Sequence, residues 1–373
     1  AIAALAIVAA LNWLTSLLIG HALTTAARLR PEVPGSRLDL QLLGEVAFGR
    51  SGQRLIAVLF ALELWFALET FILLTSINVN LLTGAPRTLV IVIAGALGTL
   101  SLSLPMSVIS SFSGMSVWCM LGGLVALIVC GSMASFGPEL SVEEHMLVDV
   151  RALPSAMAIF LYCFSGLPCL PNIRAAMQKT EEYSYCVNTA FVFAVIYYAV
   201  VGILGYYFFA GTTRESFTEN LVPYAGMPHG SIFSLFSLVS AALFAVKLQA
   251  GFPLYAAPVL QTLGACSTHG ASTQTIAVAR CAFAAVSICF AIFAKDALDG
   301  VAELMGAFLT MSTSVLFPVA AYASVRTIAG ERLAWWEVFG LGSIFLGGII
   351  FGALGTYDAI RRIWVEEKQA GYF

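Results

Sequence analysis

Charge is what this chain has least of. Only 10% of its 373 residues are Asp, Glu, Lys or Arg, while 60% are apolar. An ordinary soluble domain carries about one-quarter charged residues and roughly half apolar. A chain of this length and a mean hydropathy of +0.91 cannot hide its apolar surface from water, which excludes a soluble globular fold. Net charge is only -3 and no basic tract occurs, so nucleic acid is not an expected partner. Four scattered histidines leave metal chemistry without ligands. The eight cysteines show no CxxC spacing, and Cys119, Cys130, Cys163, Cys281 and Cys289 lie inside apolar runs, as small core residues do. No Asn-x-Ser/Thr sequon, Gly-rich phosphate loop or Ser/His/Asp set is present, so neither an enzyme nor a cofactor is expected. The first residue is not Met, and the run from Ala1 to Ala27 lacks the basic flank and cleavage site of a signal peptide. The chain is therefore expected to begin after its natural start.

What remains is a succession of long apolar runs. Ten of them, at about 3–27, 54–82, 87–104, 112–136, 152–178, 185–210, 231–263, 275–294, 298–325 and 335–360, approach the roughly 20 residues that cross a bilayer core as a helix. The connections are short, so residues 1–373 read as one transmembrane domain, an all-α polytopic membrane protein. Alternate connections and their adjoining ends carry ten basic residues on one side, half of them in the cluster Arg28, Arg30, Arg37, Arg50 and Arg54. The opposite connections carry four, Arg87, Arg151, Arg214 and Lys295. The positive-inside rule then puts the Arg28–Arg54 connection in the cytosol. Aromatic runs near span ends (Tyr197-Tyr198, Tyr206 to Phe209, Trp335-Trp336) read as interfacial belts.

The fifth run organises the rest. It starts as an apolar helix, Ala156 to Phe164, and meets Ser165, Gly166, Pro168 and Pro171 before a helical pattern resumes with Asn172, Arg174 and Lys179. Proline removes a donor and clashes with the preceding turn, and glycine weakens a helix, so the helix is expected to break; the alternative is a Pro-kinked helix with satisfied backbone and no ligand. Broken backbone persists inside a bilayer only where protein or a watery cavity covers it, and carriers use its freed amides and carbonyls to hold a solute. Phe164, Ser165, Gly166, Leu167, Pro171 and Asn172 are the candidate substrate-binding residues. Gly166 would let backbone approach a ligand, and a helix N-terminus after Pro171 would favour a carboxylate.

Three ionisable groups lie within spans. Acidic residues at a helix centre cost about 2.5–3.5 kcal/mol on insertion scales, so they face the bundle or water. Glu63 and Glu69, six residues apart, stand about 120° around one helix from each other and are not a paired-carboxylate site. Glu69 shares a face with Ser76 and is the better protonatable candidate, while Glu63 suits a packing hydrogen bond. Lys247 is the one basic residue well inside a span, and a fixed ammonium there could replace a bound sodium ion. Glu69, Glu63 and Lys247 are thus the ion-coupling candidates, with a Lys247 pairing to either glutamate expected. The stripes Asn12, Thr15, Ser16 and Thr310, Thr313, Ser314 read as helix packing.

Six phrases in order resemble the amino acid/auxin permease family, nearest its vacuolar and vesicular inhibitory amino acid branch. They are Leu43 to Gly49 with Gly52; Phe164-Ser165-Gly166 with Pro171-Asn172-Ile173 and Met177; Gly205-Tyr206 with Gly211, Asn220-Leu221 and Pro223; Lys247 before Pro253; Leu304 to Pro318; and Gly355-Thr356-Tyr357. The resemblance implies an inverted-repeat, leucine-transporter-like helical bundle that moves amino acids by alternating access, with protons as the coupled ion. It also implies an integral, multi-pass protein of a eukaryotic endomembrane, vacuole or vesicle, ahead of the plasma membrane. In the family's register the ten spans are helices two to eleven, so the first helix is missing from this sequence. Leu167 stands where many members carry His. These two departures motivate an alternative, a transport-inactive structural or assembly subunit with neighbouring membrane subunits as partners. An apolar, Gly-interrupted segment encoded upstream of Ala1 would favour transport over that alternative.

Overall fold

The computed structural model describes residues 2–33, 39–104, 106–134, 153–166, 170, 174, 177–209, 214, 216–221, 232–262 and 273–369. Every regular element among them is helical. The helices are α1 (Ile2–Leu29), α2 (Leu40–Thr83), α3 (Arg87–Ser101), α4 (Met106–Ala134), α5 (Leu153–Cys163), α6 (Tyr183–Phe209), α7 (Phe217–Asn220), α8 (Ile232–Thr262) and α9 (Thr273–Phe293). The next rod runs through α10 (Leu298–Leu304), a π-helical segment (Met305–Leu316) and α11 (Phe317–Ile328), and α12 (Trp335–Gln369) closes the chain. Among the described residues eight helical stretches are long and apolar enough to cross a membrane, and α3 and α5 are shorter apolar helices. Eight of the ten expected spans are thus spanning helices, the third and fifth are represented among the described residues by the shorter α3 and α5, and the chain is an all-α polytopic membrane protein.

One expectation needs correcting at its edge. The apolar run predicts the second span from residue 54, but α2 begins at Leu40 and bends at Gly49, whose φ of 72° and ψ of -166° no helix accommodates. Glycine is the residue that adopts such a φ without steric cost. Asp39 caps the first half, its Oδ1 accepting from the Leu42 amide at 2.8 Å. The halves then pack tightly on each other: a Cβ on Gly52 would lie 2.4 Å from Phe48 Cβ and 2.7 Å from the Gly44 carbonyl oxygen. The glycines of the LGEVAFGRSG stretch therefore serve this elbow.

The chain divides into two compact units. The first comprises Ala1–Glu63, Val148–Tyr197 and Gly300–Phe373. In it α1 packs on α11 and α5, and the π segment packs on α5 and α12. Ile19, Leu23, Leu40, Leu43, Ile56, Ala321 and Val325 form one buried cluster there. Gly20 of α1 seats the Tyr183 ring, which a Cβ would meet at 2.7 Å, and the Tyr183 hydroxyl reaches the Ser16 carbonyl at 3.3 Å. The turn from α11 to α12 is tied by Arg326, which donates to Glu331 and Glu337 at 2.9 Å each.

The second unit comprises Leu64–Leu147 and Tyr198–Asp299. Here α4 packs along α8, and α3 packs on α8 and α9. Aromatic rings fill the gaps that glycines leave, Phe252 on Gly98 and Phe244 on Gly123. Pro253 and Pro258 both lie inside α8. Arg87 ties this unit's ends together through Asp296 at 3.4 Å and the Lys295 carbonyl.

Candidate functional site: a helix that stops against a π segment

The first unit carries the expected break. α5 opens with Pro154 in its first turn, where a missing amide donor costs nothing, and stops at Cys163. Its last turn tightens: the Phe164 amide donates to the Leu161 carbonyl and the Ser165 amide to the Tyr162 carbonyl, both at 3.0 Å. These three-residue closures are how a helix end withdraws from its ladder. Phe164 and Ser165 are buried, at 8% and 7% exposure, while Gly166 is exposed with nothing within 4 Å of the place a Cβ would take. The Phe164 ring stacks on Phe191 of α6 at 5.6 Å and 6° between planes, which fixes where the chain turns. Leu167, Pro171 and Asn172 lie outside the described residues. Beyond them, the Arg174 guanidinium holds Thr24 of α1 at 3.0 Å and lies over the Tyr183 ring.

The π segment lies against this end. A Cβ on Gly306 would stand 1.8 Å from the Ala158 carbonyl oxygen and 3.1 Å from the Tyr162 amide nitrogen, so only glycine permits the approach. Runs of π-helix are rare and gather at functional positions. Thr310, Thr313 and Ser314 are fully buried on this segment, and so are Asn12, Thr15 and Ser16 on α1, which packs on it. Most of the α1 stripe bonds within its own helix, as packing residues do: Ser16 Oγ donates to the Asn12 carbonyl at 2.6 Å. The π stripe does more. Thr313 Oγ1 lies 2.6 Å from Glu63 Oε2, joining α2 to the π segment, while Thr310 Oγ1, Ser314 Oγ, Asn12 Oδ1 and Glu63 Oε1 have no hydrogen-bond partner among the described residues. This bond holds two helices together, as the packing reading of the threonines and of Glu63 expects, though sequence did not pair the two. The available signal was a threonine pair on one face of a span in a chain with a buried carboxylate to satisfy.

Glu69 belongs to the second unit. It is fully buried, and neither carboxylate oxygen has a hydrogen-bond partner among the described residues. Trp65 and Phe66 of its own helix meet Phe290 of α9 at 5.0 and 5.5 Å, and Trp65 Nε1 donates to Ser287 Oγ at 2.9 Å. Ser76, expected on the Glu69 face, instead donates to the Leu73 carbonyl at 2.7 Å. Lys247, on α8, places its ammonium 5.6 Å from the Phe244 ring centroid. Among the described residues neither Glu69 oxygen accepts a hydrogen bond from it. Among the described residues no group of three or more His, Cys, Asp or Glu side chains could hold a metal ion.

A third buried acidic group escaped the sequence reading. Glu303, near the end of α10, is buried with its side chain 2% exposed, and it takes Arg362 of α12 at 2.7 Å and the Ser155 hydroxyl of α5. An acidic residue one turn into an apolar span was the signal available for it.

The sequence profile described as transmembrane amino acid transporter protein matches residues 1–361. The chain belongs to that family. Among curated Arabidopsis thaliana proteins, it is 24% identical to amino acid transporter AVT1B over 86% of this chain and 59% of the relative. It is 26% identical to amino acid transporter AVT1D, over 86% of this chain and 58% of the relative. Amino acid transporter AVT1I is 22% identical, over 86% of this chain and 79% of the relative. The chain thus spans about three-fifths of the length of the first two.

Proposed function

We propose that the chain is the membrane domain of an amino acid carrier working by alternating access in an inverted-repeat bundle. The observation that carries this reading is the end of α5: a helix that stops at Cys163, turns at Phe164-Ser165-Gly166, and lies against a π segment brought close by Gly306. The carbonyl end of a helix favours a cation and a following helix start favours an anion, the two ends of a zwitterion. Ser165 and Gly166 supply the surface, and Gly166 leaves room for main-chain contact. The relatives' names agree with amino acids as the solute.

Proton coupling is the second part of the proposal. Glu69 is the coupling carboxyl and Glu63 the structural one. Glu63 takes the Thr313 hydroxyl at 2.6 Å. Among the described residues neither Glu69 oxygen meets hydrogen-bond geometry and the Ser287 hydroxyl is the nearest help, so ionising Glu69 leaves a poorly compensated buried charge unless its surroundings change. A group in that position links its proton to a conformational change. An endomembrane location belongs to the same reading.

The test is uptake of labelled amino acids into proteoliposomes by the full-length protein and by Ser165→Tyr and Gly166→Leu, with thermal unfolding as the control for folding. A loss of tenfold or more in uptake with unchanged unfolding is expected. Folded variants that transport like the parent would refute the site. A folded parent that moves none of the amino acids would favour the assembly-subunit alternative.

A further inference from the structure

A groove opens in the first unit beside the start of the second half of α2. Phe48, Leu55 and Leu59 form one wall, Leu316, Phe317 and Phe345 the other, around a volume of about 410 Å³. Only Ser51 and Ser312 bring hydroxyls to its lining. The Phe48 and Phe317 rings meet edge-on at 6.5 Å, and Phe48 is 47% exposed.

On the same two turns of α2 stand Arg50 and Arg54, one turn apart and both exposed. Neither makes an ion pair or side-chain hydrogen bond with any described residue. Of their neighbours in the basic cluster, Arg37 lies outside the described residues, Arg28 reaches Glu331 at 4.0 Å and Arg30 reaches Glu32 at 3.4 Å. Two unpaired guanidiniums therefore stand in the first turns of a helix long and apolar enough to cross a membrane, next to an apolar slot.

We propose that this groove seats one acyl chain of an anionic phospholipid whose headgroup phosphate lies on Arg50 and Arg54. An arginine in a spanning segment stays charged and must find water or an anion at the interface. Its planar fork matches a phosphate, and the slot beside it accepts methylene groups and little else. The Gly49 bend brings the two features together by starting the spanning half at Arg50. Cytosolic leaflets are rich in anionic lipid, which agrees with the side expected for this basic cluster. The site is separate from the α5 break and does not depend on what the protein transports.

The experiment uses the full-length protein purified in neutral detergent and moved into nanodiscs of phosphatidylcholine alone or mixed with phosphatidylserine. Retained lipid is read by native mass spectrometry after re-extraction. The protein should retain phosphatidylserine over phosphatidylcholine by roughly ten- to thirtyfold, two basic side chains' worth of preference. The double variant R50Q/R54Q should remove that preference, and Leu55→Trp, at an exposed position, should lower retention of both lipids. Equal retention of the two lipids, no retained lipid, or a preference that survives R50Q/R54Q would each overturn the proposal.

Discussion

Arg362→Ala should harm this protein more than Glu303→Gln, although both break the same ion pair. The two partners sit in unlike surroundings: the Glu303 side chain is 2% exposed and Arg362 is 44% exposed. Removing one partner of a buried pair costs about 3–5 kcal/mol, mostly because the survivor is left charged without compensation. Without Arg362, the survivor is a buried carboxylate whose one remaining described partner is the Ser155 hydroxyl. Partial exposure of the pair lowers the figure to about 2–3 kcal/mol. With Glu303 made an amide, the survivor is an arginine already half in water, and about 1 kcal/mol of charge-assisted hydrogen bonding is lost. Glu303→Gln with Arg362→Ala should therefore recover part of the Arg362→Ala loss, because no buried charge remains. The assay is equilibrium unfolding of the purified parent, both single variants and the double variant, read as a double-mutant cycle. Equal costs for the two singles, or a larger cost for Glu303→Gln, would refute the argument, since the ranking follows from exposure alone.

Three shorter predictions follow from other contacts. Gly306→Ala should abolish folding or cost at least about 3 kcal/mol, because the new carbon would stand 1.8 Å from the Ala158 carbonyl oxygen; yield and melting temperature report it. Burial raises the Asp39 carboxyl above its ordinary value against the opposing backbone hydrogen bonds, so its contribution is greatest below the ordinary carboxylate range and falls as pH rises through it. Asp39→Asn, which keeps the cap without the charge, should melt no lower than the parent at neutral pH, whereas Asp39→Ala should lose about 1 kcal/mol. Glu69→Gln should flatten the pH dependence of uptake while Glu63→Gln leaves it in place, and an unchanged pH profile in Lys247→Met would remove that lysine from coupling.

The spans were readable from sequence because a bilayer asks for one simple thing, about 20 apolar residues in a row, and the chain complies with little ambiguity. The break in α5 was readable for a related reason: glycine and two prolines inside such a run either kink or end a helix, and the turn at Phe164 to Gly166 is where α5 ends. The Gly49 bend was harder. Apolar periodicity runs through it, and only the positive φ separates an elbow from a plain helix.

Partners across the fold were the least legible. Glu63 announced itself as an acidic residue in an apolar helix, but its donor, Thr313, lies 250 residues away and looked like one more small polar residue in a packing stripe. Helical spacing could place Thr310, Thr313 and Ser314 on a common face without saying that the face meets a carboxylate. Glu69 reverses the case. Spacing gave it Ser76 as companion, yet that hydroxyl turns back to the Leu73 carbonyl, as serines in helices do when a local acceptor is free. Sequence thus identified which groups are costly to bury, since cost is a property of the residue. It could not say which are satisfied, because satisfaction belongs to pairs that only the fold assembles. By that measure Glu63 and Glu303 have found donors across the first unit, whereas among the described residues neither Glu69 oxygen meets hydrogen-bond geometry, so the coupling proposal rests there.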